Sequence, residues 1–337
     1  MAKTLEFANL TLTFGTRVLS DLFNEIVLPA FTDESLVRTY GKTTYRFQEV
    51  QLLDLGTEEE PEPAIAGRFI KDTVVKREQY FDQTSQKLVA DERDMPSAPS
   101  VTFTLLLATH KLLYLRETSD APGMTAFRGT LLKRLTYKYM DFIKAYLERA
   151  KKENDPATTK KSVMEEFLPP DLLIIPLSSP DGFAEFVAKF GLLQRVKVIL
   201  TSVNAEGDNT GLLEKLRAEK NAVGAQKATF IEESREAGLD KDAVVKQLGT
   251  AAAEANAQIR LDGKTPAGTP LDFDNEKMKV RVPIPNLPED IAGRAARSYH
   301  EFERLKTDGT IITGKINEAE AAKMRQVFRS KKDGTKS

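Results

Sequence analysis

Apolar and polar side chains alternate from the start of the chain, with Leu5 and Phe7 on one phase and Leu10, Leu12 and Phe14 on the other after a register change near Asn9. That two-residue period predicts an opening β-strand. From Arg17 the spacing lengthens to three and four, and Val18, Leu19, Leu22, Phe23, Ile26 and Val27 form a helical series expected to end near Pro29. Residues 43–55 and 64–75 read as two further strands, parted by the acidic, proline-bearing loop from Glu58 to Pro63. The apolar and β-branched run 101–115 follows a loop marked by Pro96 and Pro99, and predicts either one long strand or a bent pair. The clearest helix lies over 125–152, where Phe127, Leu131, Leu135, Tyr139, Phe142 and Tyr146 step by three or four and make one apolar stripe.

Residues 151–162 hold no apolar side chain larger than Ala or Pro, which places a domain boundary there. Beyond it, strand patterns over 172–177, 196–203, 227–232 and 258–261 alternate with helix patterns over 182–190, 210–221 and 241–255. Repeated β-α-β order predicts parallel pairing. Met278, Val280, Val282 and Ile284 alternate with Lys277, Lys279 and Arg281, as in a strand with one dry and one wet face, and a helix over 289–306 follows. The expected fold class is mixed, α+β or α/β, in two α/β domains. Residues 1–150 should form a mostly antiparallel sheet packed by two helices, and residues 163–337 a βα-alternating domain with a C-terminal helix.

Composition narrows the chemistry. The 337 residues include no cysteine and two histidines, which excludes disulfides, thiolate nucleophiles and cysteine-held metals and leaves almost no material for a His-based triad. His110 falls in an apolar run and His300 among charged helix residues, so each is expected to be structural. No run approaches a membrane span and the first residues carry no leader-like apolar core, so a cytoplasmic protein with no membrane partner is expected.

The stretch from Gly309 to Lys315 matches the opening of a phosphate-cradling loop, but Ile316 stands where that loop needs a hydroxyl. A turn at Asp308-Gly309, a short strand over 310–313 and a helix capped by Asn317 with Glu320 explain it better. The dinucleotide fingerprint and the nucleophile elbow are both missing, and no cofactor is expected. Asp262 with Lys264, and Asp272 with Asp274, form the one acidic set that could hold Mg²⁺ for phosphodiester cleavage, although Asp262-Gly263 also reads as a turn.

The net charge of −1 hides an uneven distribution, because residues 121–161 carry ten Lys/Arg against four Asp/Glu. Arg128, Lys133, Arg134, Lys138, Lys144 and Arg149 lie on the long helix among tyrosines, where they could neutralise phosphates or simply cover a wet face. Lys277, Lys279 and Arg281 make a second basic set. Taken together, the residues point to a non-catalytic binding or adaptor protein acting with a protein partner or nucleic acid, for which an accessory role in bacterial defence is one plausible home. A metal-dependent nuclease is the alternative.

Overall fold

The N-terminal alternation becomes β1 (Lys3–Phe14), the strand on which the large sheet is built. A two-residue strand, β2 (Arg17–Val18), pairs with its end. The apolar series that follows winds as a 3₁₀ turn over 19–22, a π turn over 23–27 and then α1 (Leu28–Thr32). It runs through Pro29 rather than stopping there, because Pro29 occupies the first turn of a fresh α-helix, where a missing N–H costs nothing. The computed structural model describes residues 3–155, 157–201, 211–314 and 317–334.

Next come β3 (Arg38–Tyr40), β4 (Thr43–Asp54), β5 (Pro63–Asp82), β6 (Lys87–Ser97), β7 (Ser100–Leu106) and β8 (Lys111–Arg116). The run 101–115 is thus a bent pair, β7 and β8, with His110 at φ 52° in the turn between them rather than within a strand. In β4 a bulge puts Glu49 at φ 53°, and Gly67 of β5 lies beneath it, where a Cβ would come within 2.9 Å of Val50. The first half of β5 is buried in the sheet; its second half leaves the sheet and pairs only with β6. This ribbon of about ten residues per strand extends about 30 Å.

The long helix α2 (Met124–Lys152) and α3 (Lys160–Glu166) lead to β9 (Asp171–Pro176). The polar stretch 151–162 therefore holds the end of α2, a turn and the cap of α3, with Pro156 outside the described residues. After α4 (Pro180–Ala188) come β10 (Leu192–Leu200), α5 (Gly211–Ala222), β11 (Ala228–Glu233), α6 (Lys241–Glu254), β12 (Gln258–Lys264) and β13 (Pro270–Asp274). The chain closes with β14 (Arg281–Ile284), α7 (Ile291–Thr307) and α8 (Glu318–Gly334). The expected strand reaching 203 and helix starting at 210 border residues 202–210, which lie outside the described residues.

The large sheet has the order β14-β1-β8-β7-β5-β4-β3, and β9 pairs with β1 beside β14 along the same edge. Every described pairing is antiparallel, in the small sheet β11-β10-β12-β13 as well. The parallel expectation fails because strand–helix alternation sets which elements are neighbours in sequence, not their direction. β11 and β12 do run the same way and are joined through α6, but β10 lies between them and is antiparallel to both, so no two neighbouring strands are parallel.

One face of the large sheet packs on the 19–32 segment and on α2 through Phe14, Phe31, Phe47, Phe103, Phe127 and Leu131. The other packs on α7 through Phe7, Leu113, Leu115, Phe302 and Leu305. The small sheet covers one face with α4, α5 and α6 through Phe183, Leu213 and Leu248. The chain leaves β1's edge at Leu177, whose N–H bonds to Phe7, and returns at Val280, whose N–H donates to Leu177 at 2.8 Å. The small sheet is therefore an insertion between two strands that lie end to end on one edge of the large one. No helix among the described residues is long and apolar enough to cross a membrane.

Candidate functional site

The strand order brings three cations together at one end of the large sheet. Register sets Arg281 opposite Glu6 and Arg116 opposite Thr4, so these four side chains share the face that α2 covers farther along. Because α2 begins only at Met124, this end of the face stays open. The result is a hollow of about 720 Å³ lined by Lys3, Thr4, Glu6, Arg116, Glu117, Thr118, Ser119 and Arg281.

Both carboxylates in the lining are held from behind. Glu6, fully buried, pairs with the buried Lys279 at 2.9 Å and accepts from Arg281 Nε at 3.2 Å. Lys279 also reaches Glu276, which lines the adjoining cleft between the two sheets beside Thr125, Ile174, Pro176, Gln258 and Arg260. Glu117 accepts from Arg68 at 3.1 Å, from Thr102 at 2.5 Å and from Ser100 and Arg294. Burial alone would raise its pKa, but the two hydroxyls and two guanidinium groups hold it below the ordinary glutamate value.

The basic residues singled out from sequence disperse. Arg281 lines the hollow and Lys279 sits behind it, buried on Glu6, and they do not share one face of a strand with Lys277: β14 starts only at Arg281, and Lys277 turns to Asp272 at 2.8 Å. Arg128 donates to the Leu172 carbonyl at 2.6 Å. Lys138 is tied to Asp33 at 2.6 Å, which holds Asp33 down to about 2 through that bond and one from Ser35. Lys133 lies over Tyr137 and Arg149 over Tyr146, while Lys144 is exposed. Arg134 corrects the expectation of a wet arc: it is 1% exposed, and its guanidinium donates to the carbonyls of Ala30, Phe31, Asp33 and Leu36 while stacking on Phe47 at 4.7 Å. The 19–32 segment ends with exposed carbonyls that need a donor, and a guanidinium supplies several in one plane.

Of the acids proposed for metal binding, Asp262 and Asp272 are drawn into ion pairs, and Asp274 accepts from the backbone N–H of Lys277 at 3.0 Å. Asp262 meets Arg260 at 3.0 Å and Arg195 at 3.4 Å, and Asp272 meets Lys277. Among the described residues no three His, Asp or Glu side chains are grouped as metal ligands. His300 is exposed on α7. No strand forms over 310–313, and of the loop-like motif Lys315 and Ile316 lie outside the described residues; Asn317 does cap α8, accepting from the N–H groups of Ala319 and Glu320.

Sequence reasoning passed over Lys3, Glu6, Arg116 and Glu117. A signal existed for Glu6, because it occupies the same phase of β1 as Ala8, Leu10 and Leu12, and a carboxylate at a buried strand position requires a cation. Arg116 and Glu117 carried none, since charges at a strand end are ordinary.

The other conspicuous surface is the β5–β6 ribbon. Its base is fixed by Thr43 against Thr73 at 2.8 Å and by Lys42 near Asp94, and its shaft by Arg77 and Arg93 on Asp91. Toward the tip Phe81 and Leu88 are directly paired yet 53% and 66% exposed, and Val75 pairs with the equally open Met95. No protein-family model matches this chain, and no curated protein matches it.

Proposed function

We propose that this chain is a non-catalytic adaptor, a binding protein that grips a protein partner with its β5–β6 ribbon. The observation that carries the reading is the exposed apolar pairs Phe81–Leu88 and Val75–Met95 on a two-stranded ribbon that no other element covers among the described residues. An isolated hairpin gains little stability in water, and clustered apolar side chains on a projecting arm stay solvated at a cost until another surface covers them. The ribbon's salt bridges at the shaft stiffen it, which lowers the entropy lost on docking. The nuclease alternative draws no support from Asp262 and Asp272, which are paired with Arg195, Arg260 and Lys277.

The test compares wild type with the double variant Phe81→Ser/Leu88→Ser, tagged and expressed in the native cell at equal levels. A partner recovered in proportion to wild type, lost with the variant and rebound by purified wild-type chain supports the reading. An identical set of recovered proteins from both chains overturns it.

A further inference from the structure

We propose that the hollow at the open ends of β1, β8 and β14 binds a phosphate-bearing anion. This goes beyond the adaptor reading and does not depend on it, since the site lies on the large sheet and uses no residue of the ribbon. The hollow, about 720 Å³, is of the size that small-ligand sites occupy. Its charge balance decides what it would hold. Three cations line it, and its two carboxylates are already satisfied: Glu6 by Lys279 and Arg281, Glu117 by Arg68, Arg294, Ser100 and Thr102.

The cations, by contrast, have donors to spare. Arg116 uses one terminal nitrogen for the carbonyls of Ser119 and Ala121, at 3.0 and 3.1 Å, which fixes its guanidinium on the wall. Its remaining N–H groups have no acceptor among the described residues. Arg281 gives Nε to Glu6 and is more than half exposed beyond it, so its terminal nitrogens face the hollow. Lys3 makes no ion pair among the described residues and stands at the rim. Arg116 and Arg281 share one face of the sheet, and Lys3, on the other phase of β1, adds a cation to the lining at the strand end; paired guanidinium donors of this kind match the oxygen geometry of phosphate. Thr4, Thr118 and Ser119 add hydroxyls of the kind that contact phosphate oxygens.

A nucleotide-like small molecule and a nucleic-acid strand present the same chemistry here, and the measurement separates them. Binding of pyrophosphate and of a short single-stranded oligonucleotide to the full chain is measured by calorimetry at low and physiological salt. The variant Lys3→Gln/Arg281→Gln keeps the loop bonds of Arg116, and its circular dichroism and melting profile confirm the fold. The control Lys144→Gln/Arg149→Gln removes two exposed cations from the far end of α2.

The expected result is binding at low salt that weakens by roughly tenfold or more in Lys3→Gln/Arg281→Gln and is unchanged in the control. Equal affinity for pyrophosphate and oligonucleotide identifies a small phosphorylated ligand. Affinity that rises with oligonucleotide length and falls with salt by about 0.7 in slope per phosphate identifies a strand. If neither probe binds the wild-type chain, or if the two variants weaken binding alike, the proposal is overturned.

Discussion

The buried ammonium of Lys111 and the buried carboxylate of Glu254 are joined across the seam between the two sheets by two amides in series. Lys111 Nζ donates to Asn9 Oδ1 at 3.1 Å, Asn9 Nδ2 to Asn256 Oδ1 at 3.2 Å, and Asn256 Nδ2 to Glu254 Oε2 at 3.3 Å. Lys111 is 1% exposed and Glu254 fully buried. The relay fixes which way each amide points, because reversing either would set donor against donor. The register change expected at Asn9 does not occur: β1 pairs through it without a shift, with Leu5 and Phe7 buried toward α7 and Leu10, Leu12 and Phe14 toward α2, and a polar residue sits at Asn9 where β1 meets the small unit. Arg217 adds to the seam by donating to the carbonyls of Thr201 and Asn256.

Replacing Asn256 by Leu removes the middle of this relay and leaves Asn9 Nδ2 and Glu254 Oε2 without those partners in a dry setting. We expect a loss on the order of 1–3 kcal/mol in urea unfolding. A loss no greater than that for Asn221→Leu, on the surface of α5, would show that the seam is held by packing alone.

Arg134 yields a second prediction. Burial lowers its pKa to about 10, against the opposing charges of Asp33 and Glu34, so it remains a cation at neutral pH. Arg134→Leu strands four carbonyls, two at the end of the 19–32 segment and two just after it, and should cost on the order of 3–5 kcal/mol. Lys133→Gln, one residue away, should change the midpoint little. Equal midpoints for the two variants would contradict the assignment.

Much of this architecture was legible because burial leaves a period. The stripe Phe127, Leu131, Leu135 and Tyr139 is buried as its spacing requires, with Phe142 and Tyr146 half-buried and Ile143 taking the seat between them. The same spacing places Arg134 three residues after Leu131 and seven after Phe127, inside the stripe, so its burial could have been read by position had charge not been taken as a sign of solvent. The ribbon escaped because residues 76–97 bury little: with water on both faces no alternation is required, and Lys, Glu and Asp interrupt whatever apolar pattern remains. Strand direction in the small sheet and the convergence of Lys3, Arg116 and Arg281 depend on tertiary placement, which no local window contains.

Glu62 makes stability depend on pH. Burial pushes its carboxyl up to about 7, with Glu303 adding to the effect, while the Ala108 N–H, Arg325 and Lys306 oppose it. Tyr299 close by is raised to about 12, by burial first and then by Glu303 and Glu62. A carboxyl whose folded pKa exceeds its unfolded value of 4.5 binds its proton more tightly in the folded state, so its contribution is fully present below that value and is lost as pH rises through 7. The full span corresponds to about 3 kcal/mol. Unfolding free energy of wild type should therefore fall more between pH 5 and 8 than that of Glu62→Gln, in urea titrations at about one-unit steps. Parallel pH profiles would place the Glu62 carboxyl in contact with water.

The ribbon should be dispensable for folding. Thr73 and Ser97 are direct cross-strand partners where β5 leaves the large sheet, so the arm beyond them can be cut and the ends rejoined by an Asn-Gly turn without disturbing the ladder below. The core that β5 contributes, Ile65 and Phe69 against Phe47, Phe103 and Phe127, lies wholly before the cut. The melting temperature of the shortened chain should stay within roughly 2–4 °C of wild type, the shift that about 1 kcal/mol produces in a chain of this order of size. Solubility at high concentration should rise as Phe81 and Leu88 are removed from water. A large drop in melting temperature would mean that the arm braces the sheet, and that its exposed apolar pairs serve the chain's own stability and not a partner.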